Sequence, residues 1–230
     1  MSDALREIST RNLSMLPTID TLKRISQAIA TLDAILSPEW ESRYHSFNSK
    51  WSVREAMGSM RNGSGDDFFI HFSDVGAVVK GYDHEFVMAR FNVEHGQPWP
   101  GVLDKVPSEF MSFLAEPAFS IQETTFCIWR RWTDSSWVIG EIVFPRFDPD
   151  PDGSAGLLFI LDGNPATYKT WAVEYYSDVV IDDTLPLASV ERLYNHEPLT
   201  SQLVRQINPS IRLADIIEDL EEIGYPYVTE

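Results

Sequence analysis

Met57-Gly58-Ser59-Met60-Arg61-Asn62-Gly63-Ser64-Gly65-Asp66-Asp67-Phe68-Phe69-Ile70-His71-Phe72 decides the fold class. An Asn-Gly pair between two strand-like runs signals a hairpin, because both residues tolerate positive φ. Ser73-Asp74-Val75-Gly76 then reads as a second turn, and Ala77 to Tyr82 as a third strand. The stretch predicts a three-stranded antiparallel meander.

Working toward the N-terminus, Leu22, Ile25, Ile29, Leu32 and Ile35/Leu36 recur at three- and four-residue spacings. That is one apolar stripe and predicts a helix from Ile19 to Leu36, with Thr18 as N-cap and Pro38 as its stop. Trp40, Tyr44, Phe47 and Trp51 read as an aromatic lid or short helix over it. Residues 1–17 show little pattern and read as a flexible leader, with no basic stretch followed by an apolar run of the secretory kind.

Toward the C-terminus, residues 92–109 are rich in turn formers, and a short helix is expected over Ser108 to Leu114. Two long strands are expected at Thr124 to Trp132 and Trp137 to Phe144, joined by Thr133-Asp134-Ser135-Ser136. Pro145 to Gly156 reads as an acidic loop and Leu157 to Leu161 as a short buried strand. Asp162-Gly163-Asn164-Pro165 opens a helix. Further helices are expected over Leu187 to Tyr194, Thr200 to Ile207 and Leu213 to Ile223, the last capped by Ser210 and stopped by Gly224. Strands in runs with helices at the ends, and no βαβ alternation, make an α+β protein: an N-terminal helix, a mainly antiparallel sheet built from hairpins, and C-terminal helices packed on it. The expected organisation is one domain over residues 18–230, helical from about residue 162.

Charge is uneven along the chain. Residues 1–50 carry six acidic and six basic side chains, residues 51–100 seven and four, and residues 101–230 twenty-two and eight. A net charge of −17 repels nucleic acid and anionic membrane and attracts basic proteins. Seven Trp, eight Tyr and thirteen Phe argue for a folded core beneath that surface. The single cysteine, Cys127, allows no internal disulfide and fits a reducing cytoplasm.

Several constellations carry ligand-type side chains. Asp148-Pro149-Asp150-Pro151-Asp152-Gly153 matches the first half of a calcium loop, with Asp148, Asp150 and Asp152 as ligands. The twelfth position is Phe159 rather than Glu, so the match is half complete. Asp83-His84-Glu85 at a strand end, with Arg61, makes the candidate polar pocket for acid–base work or ligand binding. The glycine-rich Arg61 to Gly65 segment lacks the lysine and spacing of a phosphate loop. Cys127 lies in a strand-like run and reads as a buried small residue. In Trp129-Arg130-Arg131-Trp132 the two arginines face opposite sides of a strand, one suited to an aromatic face or an anion, the other to a carboxylate. No cofactor motif and no catalytic signature is present.

Phe47-Asn48, Trp51, Met57 to Asp66, Gly81 to Glu85, Trp99-Pro100-Gly101-Val102-Leu103 and Glu222-Ile223-Gly224-Tyr225-Pro226 resemble segments of an uncharacterised bacterial single-domain family. The resemblance spans most of the chain from about residue 20. It implies a bacterial cytosolic domain and transfers no site residue. In acidity and architecture the chain is also similar to the immunity proteins that neutralise polymorphic toxins. The expected function is a non-enzymatic binding protein for a partner with a basic surface. The alternative is an enzyme or small-ligand binder using Arg61, Asp83, His84 and Glu85.

Overall fold

The computed structural model describes residues 8–146, 148–180 and 184–229. Its helices are α1 (Ile19–Leu36), α2 (Val87–His95), α3 (Met111–Leu114), α4 (Ser154–Leu158), α5 (Pro165–Tyr175), α6 (Leu187–Tyr194), α7 (Ser201–Ile207) and α8 (Ile217–Ile223). Its strands are β1 (His45–Ser52), β2 (Glu55–Arg61), β3 (Asp67–Phe72), β4 (Gly76–Tyr82), β5 (Phe126–Arg131) and β6 (Val138–Ile139). They form one antiparallel sheet in the order β1-β2-β3-β4-β5-β6, so the protein is α+β. The contacts divide the chain into two compact units. One comprises residues up to Ile19 with Ser59–Asp162; the other comprises Asp20–Gly58 with the residues from Gly163 onward.

In the first unit the meander expected from Asn62-Gly63 forms, and β5 extends it. β3 and β4 pair from Asp67↔Tyr82 to Phe72↔Ala77, and β4 and β5 from Gly76↔Arg131 to Gly81↔Phe126. All three strands are buried on both faces over most of their length. Phe126 closes over Gly81 so tightly that a Cβ there would lie 2.0 Å from the ring. On the opposite face Phe119 stacks on Phe69 with centroids 4.2 Å apart, and Phe113 on His71 at 4.4 Å. Of the expected leader, residues 1–7 lie outside the described residues, while Ile8, Thr10 and Leu16 are buried.

In the second unit the apolar stripe of α1 is buried as expected, and from Ala28 to Leu36 the helix is buried all round. Asn208 donates through Nδ2 to the Ile35 carbonyl at 2.8 Å, tying the end of α7 to α1. β1 meets α8, where Ser49 Oγ donates to the Glu222 carbonyl at 2.7 Å. Gly224 ends α8 in the left-handed region at φ 72.

Five local expectations are corrected. Trp40 opens a short 3-10 helix, but Phe47 and Trp51 lie in β1, where His45 and Phe47 are buried at alternate positions. α2 runs into the start of the 92–109 segment read as turns, ending at His95. Its polar Arg90, Asn92 and Glu94 break the apolar stripe, and Asn92 is buried by donating to the Thr124 carbonyl at 2.9 Å. The long strand expected at Trp137 to Phe144 stops at Ile139. A Cβ on Gly140 would lie 1.8 Å from the Gly101 carbonyl, so the chain there is pressed against another loop instead of a strand. Leu157 to Leu161 is helical, continuing α4 into a 3-10 turn, because Asp150 and Asp152 accept the N–H groups that open a helix. The expected last helix splits into a 3-10 turn, Leu213–Ile216, and α8, and its start is held by Asp215, whose carboxylate accepts the Arg212 N–H at 3.0 Å, rather than by Ser210. Asp182 and Asp183, two of the acids behind the net charge, lie outside the described residues.

Candidate functional site

The β3–β4 register builds the site. It ends at the Asp67↔Tyr82 pair, and Asp66 and Asp83 are the next residues beyond that end. Asp66 closes the β2–β3 turn, where Asn62 Oδ1 accepts from the Ser64 N–H at 2.8 Å and the Asp66 N–H at 3.1 Å. Asn62 Nδ2 in turn donates to Asp66 Oδ2 at 2.5 Å. Gly63 and Gly65 supply the positive φ this turn requires, at 75 and 113. At the end of β4, Asp83 Oδ1 accepts from the Glu85 N–H at 3.2 Å, which turns the chain toward α2.

His84 joins the two carboxylates. Its N–H donates to Asp66 Oδ1 at 2.9 Å, and its Nδ1 lies 2.6 Å from the same oxygen. One ligand atom each from Asp66, Asp83 and His84 lie within 4.8 Å of one another. Burial works against the Asp66 carboxylate, but the bonds from His84 and Asn62 hold it below the usual carboxylate range. The bond to Asp66 raises His84. Burial, with the Asp66 charge adding to it, pushes Asp83 up to about 6.

The acidic loop abuts this group. Gly153, at φ 73, packs so closely on Asp83 that a Cβ would lie 2.3 Å from the Asp83 Cβ. Thr125 Oγ1 donates to the Asp152 carbonyl at 2.7 Å and accepts from the Asp83 N–H at 3.3 Å. Within the loop the aspartates do not form the calcium set expected from Asp148, Asp150 and Asp152. Asp150 accepts the Ala155 N–H at 3.1 Å, and Asp152 accepts the Ser154 N–H at 3.1 Å and the Thr10 hydroxyl at 2.6 Å. Asp148 Oδ1 accepts the Asp150 N–H at 3.1 Å. These oxygens are taken up by the loop's own backbone and by Thr10, and the bonds from Ser154 and Ala155 start α4. Burial and the neighbouring Asp152 push Asp150 up to about 6.

The other members of the expected pocket separate. Arg61 lies over the Phe69 ring at 5.4 Å, on the face of β3 that also carries Asp67. There it belongs to a second polar group around Lys80, a fully buried lysine whose Nζ is 3.7 Å from Asp67 Oδ1. Neither of those two atoms makes a hydrogen bond. Burial, opposed by Asp67, lowers Lys80; burial, opposed by Lys80 and Arg61, raises Asp67 to about 6. Glu85 reaches the site only through its backbone N–H, and its side chain is exposed. Cys127 is the cross-strand neighbour of Lys80, and burial pushes its thiol up to about 12, far from a thiolate at neutral pH. Arg131 meets the Glu109 carboxylate at 3.7 Å, while Arg130 Nε donates to the Asp134 carbonyl at 3.2 Å.

Sequence reasoning missed a third group, in the second unit. The carboxylate of Asp33 is fully buried in α1. It accepts the Tyr168 hydroxyl at 2.6 Å on Oδ1, and on Oδ2 the His45 N–H at 2.8 Å and the His45 ring at 3.0 Å. Tyr44 and Trp171 pack against the imidazole at 4.9 and 5.0 Å. An aspartate within the apolar half of α1 was the available signal, since such a residue must be paired when buried.

No protein-family model, no curated protein and no solved structure matches this chain. Among the described residues no helix is long and apolar enough to cross a membrane.

Proposed function

We propose that this chain is a non-enzymatic binding protein whose partner is a protein with a basic surface, acting in the manner of an immunity protein that masks a toxin. One observation carries the reading. Trp40, 55% exposed, lines a shallow surface depression together with Asp219 and Glu222 of α8. Binding hot spots favour a large aromatic anchor of this kind. Acids around it speed encounter with a basic partner and select against acidic ones.

The sequence of α8 shapes that surface. Leu220 and Ile223 turn inward, so Glu218, Glu221 and Glu222 face outward. Arg43 donates to both oxygens of Asp219, at 2.6 and 2.9 Å, and fixes one rim of the depression. The remaining acids of the helix supply the field. A lone, buried cysteine fits a cytoplasmic setting for such a protein.

The test is affinity capture from native lysate at low and high salt, with wild type, Trp40→Ala and a Glu218→Lys/Glu222→Lys double variant. The expected result is capture of basic proteins that falls with salt and is lost in both variants. Capture that ignores salt, or that survives both variants, overturns the reading.

A second reading, small-ligand binding around Asp83 and His84, is favoured by the convergence of those residues with Asp66. It no longer includes Arg61.

A further inference from the structure

The group at the end of β3 and β4 contains an arrangement that folding alone leaves costly. Asp66 and Asp83 are the next residues beyond the Asp67↔Tyr82 pair and bring two carboxylates within 4.8 Å, where like charges destabilise. Asp83 is only 7% exposed. Its carboxylate accepts the Glu85 N–H on Oδ1 at 3.2 Å, and one long hydrogen bond offsets little of the cost of desolvating it. One oxygen of its carboxylate lies within 4.8 Å of an Asp66 oxygen and a His84 nitrogen.

We propose that Asp66, Asp83 and His84 hold a divalent first-row transition ion of the zinc class. Two anionic oxygens and one imidazole nitrogen are the donor chemistry such ions take, whereas calcium asks for six to eight oxygens. Tetrahedral donors bound at about 2.1 Å lie about 3.4 Å apart, so the site closes at its widest by up to about 1.4 Å while the His84 Nδ1–Asp66 Oδ1 pair, now 2.6 Å apart, opens around the ion. His84 is exposed and sits beside the Gly63–Gly65 turn, the freest of the three to move. On binding, the ion takes the place of the proton that His84 Nδ1 and Asp66 Oδ1 share, and that proton leaves to solvent.

The surroundings behave as a supporting shell. Asn62 Nδ2 orients Asp66 through Oδ2, and the Glu85 N–H orients Asp83 through Oδ1. Gly153 closes the buried side against Asp83. His84 lies on the solvent side, so three protein donors leave a coordination position there for water or an anionic ligand. This site names the ligand of the second reading above and is independent of the protein-partner reading, whose residues are Trp40 and those of α8.

The test is titration of the full chain with Zn²⁺ by calorimetry and with Co²⁺ by visible absorption. The expected result is one equivalent bound, a Co²⁺ spectrum of an oxygen- and nitrogen-ligated ion, and a rise in melting temperature with Zn²⁺. His84→Ala and Asp66→Asn are each expected to weaken binding at least about tenfold and to abolish the thermal shift. His95→Ala removes another exposed histidine and is expected to leave binding unchanged. Absence of binding at large metal excess overturns the proposal. So does binding that survives His84→Ala and Asp66→Asn, or that falls equally in His95→Ala, which would mark adventitious surface binding only.

Discussion

The Tyr168 hydroxyl donates to Asp33 Oδ1 at 2.6 Å inside the second unit, and both side chains are fully buried. Burial and the Asp33 charge hold the Tyr168 phenol well above its ordinary range, so it remains a donor at any pH the protein survives. This bond and the two from His45 anchor α5 and β1 to the middle of α1.

Tyr168→Phe should therefore cost about 1–3 kcal/mol, the penalty of a buried acceptor left without its donor. Asp33→Ala should cost more, about 3–5 kcal/mol, because it strands the Tyr168 hydroxyl and the His45 N–H together. Urea unfolding followed by tryptophan fluorescence reads both. Equal, small effects would show that the carboxylate is not the hub.

Gly153→Ala should destabilise the first unit by about 2 kcal/mol or more. Its φ of 73 disfavours an L side chain, and its new methyl would meet the Asp83 Cβ at 2.3 Å. The same variant should weaken Zn²⁺ binding by displacing Asp83. Gly156→Ala, with open space around its position, serves as the control and should be neutral or slightly stabilising.

Asp150 sets a pH dependence. Its carboxyl titrates near 6 in the folded chain, above its value of about 3.9 when unfolded. A raised pKa contributes stability that is full below about pH 4 and is lost as pH rises through about 6. Discounted for partial solvent exposure, the effect is on the order of 1 kcal/mol. Asp150→Asn should match wild type at pH 4 and exceed it at pH 8, since the amide oxygen still accepts the Ala155 N–H. Denaturation midpoints at the two pH values give the comparison, and a variant equally weakened at both would contradict it.

Cys127 is inaccessible, and burial keeps it protonated. Its reaction with an aromatic disulfide reagent should run at the rate of unfolding, with no fast phase, and should become immediate in denaturant. A fast phase in native buffer would mean that the β4–β5 face opens.

Lys80 buries an ammonium group with no hydrogen bond. Lys80→Met alone should destabilise by up to about 3 kcal/mol in thermal unfolding, because it strands the Asp67 carboxylate, whereas Lys80→Met with Asp67→Leu should be neutral or stabilising. A double variant that loses as much as the single one would contradict this.

The helix Ile19–Leu36 and the meander around Asn62-Gly63 were legible because periodicity and turn chemistry are local. The Leu157 to Leu161 run was misread because a short apolar segment looks the same in a buried strand and a buried helix. The distinction lay in the capping bonds of Asp150 and Asp152, which need coordinates to see. Arg61, Asp83, His84 and Glu85 were singled out as one pocket, yet only Asp83 and His84 bring ligand atoms together, with Asp66, a residue the sequence reading left within its turn. Strand parity explains that split. Asp66 and Asp83 lie just beyond the last pair of the β3–β4 register, while Asp67, one residue on, falls on the face that carries Lys80 and the ring beneath Arg61.

What the amino-acid order settles alone is therefore the fold class, the acidity, the single thiol and the hairpin that starts the sheet. Each depends on composition or on neighbours a few residues apart. Which carboxylates meet, which lysine is buried and which aspartate sits at the centre of the second unit depend on pairing between distant segments. Those pairings follow from strand register and close packing, and they turn scattered polar residues into one cluster at a strand end.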